Sequence, residues 1–262
     1  MTADTQPIET PRFLAHPRET AAACAALGLY YALSMSRDMG FYDSPELALV
    51  AVQGGVGHPI GQPLHTLLGH GLVGLGGLLG VAPLVCLNLL SALACALTVV
   101  PVVSVLDRVA PCPTGWVGRA RPFVVALLGV HASLWEPASR IEVYPLGTLL
   151  GALSLACLLP ALDAPEGRTR TRFMTLAGLL LALTSGANAV TATFFALAMS
   201  PLVLAAIFRR TLPLRAIGPA VGAALVGMLI WLYVPLAARD PDVVAWGRPS
   251  DWPALRAYLS GA

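Results

Sequence analysis

The sequence predicts an all-α, polytopic membrane protein of about seven transmembrane helices, with one further helix lying horizontal or re-entrant in the first outer loop. Three observations carry this expectation. The 262 residues are 56% hydrophobic, with a mean hydropathy of +0.74, and only 11% are charged, against about 25% in soluble domains. The apolar residues come in separate stretches, at about 20–36, 62–81, 84–106, 122–135, 144–161, 173–186, 187–208 and 216–236, and a spanning helix needs about 20 such residues. All sixteen basic residues are arginine, and they gather between alternate stretches, as basic residues do in cytoplasmic loops.

In chain order, residues 1–19 are polar and read as a cytoplasmic tail. Ala21–Met35 runs into Ser36-Arg37-Asp38 without a small-residue cleavage site, so it is expected to be an uncleaved first helix rather than a signal peptide. The stretch 62–81 decides the topology. If it does not cross, Arg12, Arg18, Arg108, Arg119, Arg121, Arg168, Arg170, Arg172, Arg209, Arg210 and Arg215 fall inside, and only Arg37, Arg140, Arg239, Arg248 and Arg256 fall outside. If it crosses, the arginine excess moves outside, against the positive-inside rule. The expected organisation is therefore a transmembrane domain over 20–236 with a first outer loop at 37–83. An outer-face tail follows at 237–262 and reads as the start of a further C-terminal part. Gly-x-x-x-Gly spacings at Gly76/Gly80, Gly147/Gly151 and Gly218/Gly222 mark close helix packing.

Composition narrows the function classes. A net charge of +2 gives no case for nucleic acid. Arginine used to the exclusion of lysine, with abundant Ala, Gly, Leu and Pro, points to a bacterial chain and hence to the bacterial inner membrane. Of the five cysteines, Cys24, Cys86, Cys95 and Cys157 lie in apolar runs and Cys112 in a basic loop. None shows a C-x-x-C or Cys/His ligand spacing, so they read as small core residues, and no metal site is assigned.

The titratable groups instead collect in the predicted outer segments. Ionised groups are costly at the bilayer centre, so Asp43, Glu46 and His58 must occupy a wet cavity or the membrane surface. Ser44 and Pro45 read as the cap and first residue of a short helix running to about Gln53. Asp43 and Glu46 then lie at its positive end, where the ionised carboxylate is favoured and a held carboxylate can act as general base. The same spacing also suits two simple capping groups. His58-Pro59-Ile60-Gly61-Gln62-Pro63 must be a stiff turn, with His58 placed to meet a phosphate or sugar hydroxyl. Residues 135–144 bring Glu136, Arg140, Glu142 and Tyr144 to the same face; Arg140 there suits an ion pair or a phosphate contact, and Trp135 and Tyr144 also suit interfacial anchors. In the tail, Trp246 and Arg248 precede a short helix capped by Ser250 and stopped near Gly261, with Trp252, Leu255 and Leu259 on one face.

Taken in order, Asp43-Ser44-Pro45-Glu46, Gly57-His58-Pro59-x-Gly61-x-Pro63-Leu64, Asn88-Leu89-Leu90-Ser91-Ala92, Trp135…Ala138…Glu142-Val143-Tyr144 and Tyr233-Val234-Pro235-Leu236…Trp246-Gly247-x-Pro249 resemble one family. It is the bacterial branch of the GT-C glycosyltransferase superfamily that also holds a eukaryotic endoplasmic-reticulum protein O-mannosyltransferase. The chain differs from the usual family pattern at Pro45, Gln62 and Arg248, and has Asn188 near the place of a frequent histidine. The resemblance implies a GT-C-like helical fold with its active face outside the membrane. It implies inverting transfer of a sugar, protein O-mannosylation included, from a polyprenyl-phosphate-linked donor to a hydroxyl of a protein or glycan. By position it maps the catalytic acidic motif to Asp43 and Glu46, a His-Pro turn to His58 and a second acidic site to Glu142. Arg140, Tyr144, Trp246 and Arg248 complete the expected donor-binding set. No cofactor beyond the donor is implied, and a divalent-metal requirement is not legible. Two other classes stay open from residues alone: a non-catalytic or truncated membrane subunit, and a transporter of lipid-linked substrates.

Overall fold

The computed structural model describes residues 13–111 and 115–261. Most of the expected N-terminal tail, and Cys112, lie outside the described residues. The architecture is helical throughout. α1 (Pro17–Ser34) leads through a loop to α2 (Ser44–Gln53), a non-helical turn, and α3 (Pro63–Leu78). α4 (Pro83–Leu97) and α5 (Val99–Val109) form a nearly continuous rod, followed by α6 (Trp116–Leu128) and the short α7 (Ala132–Ala138). α8 (Tyr144–Asp163), α9 (Arg168–Ala187) and α10 (Ala189–Phe208) are full-length helices. The segment Leu214–Ala237 holds α11 (Gly218–Met228) and α12 (Tyr233–Ala237), joined by 3-10 turns, and α13 (Trp252–Ser260) closes the described chain.

Local chemistry accounts for the boundaries. Pro sits in the first turn of α2, α3, α4 and α8, where its missing N–H costs nothing. Gly54 ends α2 with φ 71° and Gly261 ends α13 with φ 69°, the left-handed cap that glycine adopts without a Cβ clash. The Asn188 side chain accepts from Thr191 N at 2.7 Å and starts α10.

Among the described residues four segments are long and apolar enough to cross a membrane: Pro83–Val109, Tyr144–Asp163, Ala189–Phe208 and Leu214–Ala237. The chain is an integral membrane protein, but the expected seven spans are not supported. Each shortfall has a local cause. α1 carries Arg18 and Glu19 in its first turn, and α9 opens with Arg168, Arg170 and Arg172. The apolar stretch 122–135 is broken at Gly129 into the 13-residue α6 and the 7-residue α7. α3 has 16 residues, fewer than the roughly 17 at the short end of spanning helices.

α9 is the central member of the larger bundle, packed between α8 and α11. The contacts rest on small residues, as expected where lipid removes the usual hydrophobic drive and close backbone approach must supply the packing. A Cβ on Gly178 of α9 would collide with the Ala220 backbone of α11, and one on Gly151 of α8 with the Phe195 ring of α10. Gly147 and Gly151 thus both face α10, whereas Gly218 and Gly222 face open space. Ser154 Oγ donates to Ala177 O at 2.7 Å between α8 and α9. At one end of this bundle the buried Arg170 donates to Ala164 O and, at 3.1 Å, to Thr211 O. A second core joins α1, α4, α5 and α6 through Leu27, Tyr31, Ala92, Ala96 and Val99. There the Tyr31 hydroxyl donates to Gly129 O at 2.7 Å, satisfying a carbonyl freed by the break after α6.

Candidate functional site

The site is assembled on α2 by two segments distant in sequence. The first is 139–143, between α7 and α8. Ser44 Oγ donates to Ile141 O at 2.8 Å, fully buried. Ser91 Oγ of α4 is 3.1 Å from Glu142 N and 3.2 Å from Glu142 O. Ser36 N donates to Ser139 O at 2.7 Å, and Asn88 Nδ2 donates to Ser36 O at 2.7 Å. The Asn88 and Ser91 of the sequence motif therefore hold the backbone of Ser36 and Glu142. Ser44 is not the cap expected for α2: it is the first residue of the helix, and the cap position is Asp43, whose side chain makes no capping bond among the described residues.

This frame presents an ionic cluster. Arg140 Nη2 lies 3.0 Å from Glu142 Oε1 and Nη1 lies 3.3 Å from Glu136 Oε1. The guanidinium carbon sits 5.1 Å from the Tyr42 ring centroid, within cation–π range. Its buried Nε has no partner. The Glu142 side chain is only 7% exposed, that of Glu136 59%. Burial raises the Glu142 carboxyl above its usual range; Arg140 pulls it back, and the charge of Asp43 pushes it up again. Asp43, exposed and just ahead of α2, is near enough for its charge to act on Glu142.

The second segment is the tail. Val56 N donates to Val244 O at 2.8 Å and Trp246 N to Val56 O at 3.0 Å, a lone parallel bridge between Val56 and Ala245. It holds the tail against the 54–62 turn. There the Glu46 carboxylate accepts from His58 N at 2.5 Å and lies 3.2 Å from His58 Nδ1 through both oxygens. Trp246 meets the His58 ring edge-to-face, centroids 6.5 Å apart.

The expected site residues thus fall into two adjoining clusters that share α2: Asp43, Arg140 and Glu142 on one side, Glu46, His58 and Trp246 on the other. Arg248 does not join either. Its Nη1 and Nη2 donate to Asp240 O at 3.1 Å and Pro241 O at 3.0 Å, closing its own loop. Tyr144 is half-exposed and lines a separate apolar cavity with Tyr31, Cys95 and Leu134. The tail helix is capped by Asp251, which accepts from Ala254 N at 2.9 Å, not by Ser250. Leu255 packs under it, whereas Trp252 is exposed. Sequence reasoning missed Tyr42 and Tyr258. Tyr42 immediately precedes the acidic motif, which was a usable signal; Tyr258 had none beyond its spacing from Leu255. Among the described residues no group of three or more His, Cys, Asp or Glu could hold a metal ion.

The protein-family model described as the Protein O-mannosyl-transferase TMEM260 N-terminal domain matches residues 43–213. That is well over half of the chain, and it starts on Asp43. The chain belongs to the TMEM260 N-terminal domain family. A Protein O-mannosyl-transferase TMEM260 from mouse is 26% identical over 245 residues, which is 93% of this chain and 33% of the mouse protein. The chain therefore spans about a third of the length of this TMEM260 relative. No solved structure matches it. The family match takes in α2 through α10, and so every residue of the Asp43–Arg140–Glu142 cluster; the tail that carries Trp246 and Tyr258 lies beyond it.

Proposed function

We propose that this chain forms the active-site region of a membrane glycosyltransferase of GT-C type. In this reading it transfers a sugar, mannose to protein hydroxyls included, from a polyprenyl-phosphate-linked donor with inversion, on the outer face of a bacterial inner membrane. The observation that carries the reading is the TMEM260 family match, which begins at Asp43, on a fold that gathers Asp43, Arg140 and Glu142.

Each step has a residue. Asp43 accepts the proton of the acceptor hydroxyl, and that oxygen forms its bond to the anomeric carbon from the face opposite the phosphate. The bond from anomeric carbon to phosphate oxygen breaks, and its electron pair leaves with the polyprenyl phosphate. One displacement inverts the centre. Arg140 stabilises the growing phosphate charge, exchanging the solvent-exposed Glu136 for the phosphate while the buried Glu142 keeps it in place. Glu46 and His58 orient sugar or acceptor hydroxyls beside the Trp246 ring. An apolar cavity of about 870 Å³ between α9, α10 and α11 counts Ile60 of the His58 turn, Leu255 and Leu259 among its lining residues. Its chemistry suits the lipid part of such a donor. The acceptor is a protein or glycan hydroxyl.

The test is transfer from a radiolabelled polyprenyl-phosphate sugar in membranes holding the full protein. Asp43→Asn keeps size and removes the base, and transfer is expected to fall by about a hundredfold or more, as for loss of a general base. Undiminished transfer removes Asp43 from this role. Protein-dependent lipid flipping in proteoliposomes without any sugar transfer replaces the glycosyltransferase reading by a transporter.

A further inference from the structure

We infer that Tyr258 is a positioning residue for the Glu46–His58 pair: the α13 tail clamps the His58 turn and so sets where the imidazole is presented. This rests on the proposed role of that pair in the site, and the structural side of it is independent of any activity. The Tyr258 hydroxyl, buried on α13, donates to Gly57 O at 2.7 Å and has His58 O as a second acceptor at 3.3 Å. Gly61 leaves the space for it: a Cβ at that position would collide with the Tyr258 hydroxyl, and Gly61 has φ 82°. His58 is thereby held from three directions. Its carbonyl side faces Tyr258, its N–H and Nδ1 face Glu46, and its ring edge faces Trp246.

The clamp is continuous along the turn. Gln53 Oε1 accepts from Val244 N at 3.0 Å, Val56 pairs with Val244 and Trp246, and the Tyr233 hydroxyl donates to Gly55 O at 3.3 Å. Below it Val56, Val234, Ala238 and Tyr258 form a small buried core. Within the turn His58 O accepts from Gly61 N at 2.7 Å, while the carbonyls of Val56 and Gly57 are satisfied by Trp246 N and the Tyr258 hydroxyl of the tail, as buried carbonyls must be. Yet the His58 side chain remains 30% exposed. A side chain fixed by so many contacts and still open to a ligand is one whose orientation matters.

Residue-resolved carbethoxylation with diethyl pyrocarbonate, read by mass spectrometry on the detergent-solubilised full protein, tests this without donor or acceptor. The exposed His131 of the same chain serves as reference. Tyr258→Phe removes only the hydroxyl, and the His58 labelling rate relative to His131 is expected to rise about three- to tenfold, the range for one lost hydrogen bond. Gly61→Ala, which displaces the Tyr258 ring, must give the same rise and serves if Tyr258→Phe does not accumulate. Glu46→Gln releases the ring directly. If Tyr258 acts through the pair, the Tyr258→Phe/Glu46→Gln double variant labels no faster than Glu46→Gln alone. Unchanged labelling in both Tyr258→Phe and Gly61→Ala overturns the inference, as does a double variant whose effects multiply. Transfer assayed in parallel separates the two readings: no transfer in the unaltered protein refutes the enzyme, whereas the labelling cycle still decides the role of Tyr258.

Discussion

Arg140 and Arg170 each anchor a turn beside α8, yet their partners differ in kind. Arg170 is buried and spends its donors on the main-chain oxygens of Ala164 and Thr211. Those acceptors belong to the ends of helices and cannot leave. Arg140 spends its donors on the carboxylates of Glu136 and Glu142 and lies over the Tyr42 ring. One of those carboxylates, Glu136, is at the surface, and the other, Glu142, is buried. A guanidinium tied to carbonyls is a bracket, and one tied to an exposed carboxylate is a candidate ligand site.

Exchange of the two side chains separates the roles. Arg140→Ala is expected to reduce sugar transfer by about a hundredfold, the scale for loss of a preorganised charge contact to the transition state, and by far more than the folded fraction falls when the buried Glu142 carboxylate loses its partner. Arg170→Ala leaves the buried oxygen of Ala164 without its partner, at about 1–3 kcal/mol, and frees the part-buried oxygen of Thr211. It should lower the thermal midpoint clearly and lower transfer only with the folded fraction. If Arg170→Ala abolishes transfer in fully folded protein, the distinction between bracket and ligand site fails.

A second contrast is of pH. His65 of α3 is fully buried, both ring nitrogens lack partners, and burial pushes it down to about 4. The unfolded chain then binds a proton between pH 6.5 and about 4 that the folded chain does not. Its contribution to stability is complete above pH 6.5 and is lost as pH falls, by up to about 1.4 kcal/mol per pH unit. The buried Glu142 works in the opposite sense: its raised carboxyl disfavours the folded state as pH rises through the carboxylate range. Thermal midpoints measured from pH 7 to pH 5 should fall in the unaltered protein and fall less in His65→Leu. Equal slopes would remove His65 as the source.

The smallest effects concern two helical glycines. Gly178→Ala forces a Cβ into the Ala220 backbone, and overpacking of this kind costs about 1–3 kcal/mol. Gly222→Ala meets open space and should be neutral or stabilise by up to about 1 kcal/mol through helix propensity. The two thermal midpoints should therefore shift in opposite directions or, at least, only Gly178→Ala should fall.

The residues by themselves determined the class of the protein and the ingredients of the site. Charge scarcity and apolar runs required a helical membrane protein. Pro45 marked a helix start and Gly261 a helix stop, and the order of the acidic and His-Pro motifs pointed to an O-mannosyltransferase-like family, which the match over residues 43–213 then showed. The number of spans was not legible, because hydropathy windows average over breaks: Gly129 splits one apolar run, and arginines occupy the first turn of α9. Nor could a Gly-x-x-x-Gly spacing tell Gly151, pressed on Phe195, from Gly222, which touches nothing. Only the tertiary structure decided which polar groups meet. Ser44 gives its hydroxyl proton to the carbonyl of Ile141, 97 residues away. Arg248 turns back on its own loop, and Tyr258 reaches Gly57 across 201 residues. Such pairings depend on long-range contacts between loops, whose partners are chosen by how the helices pack and by the need of each buried polar group for a mate.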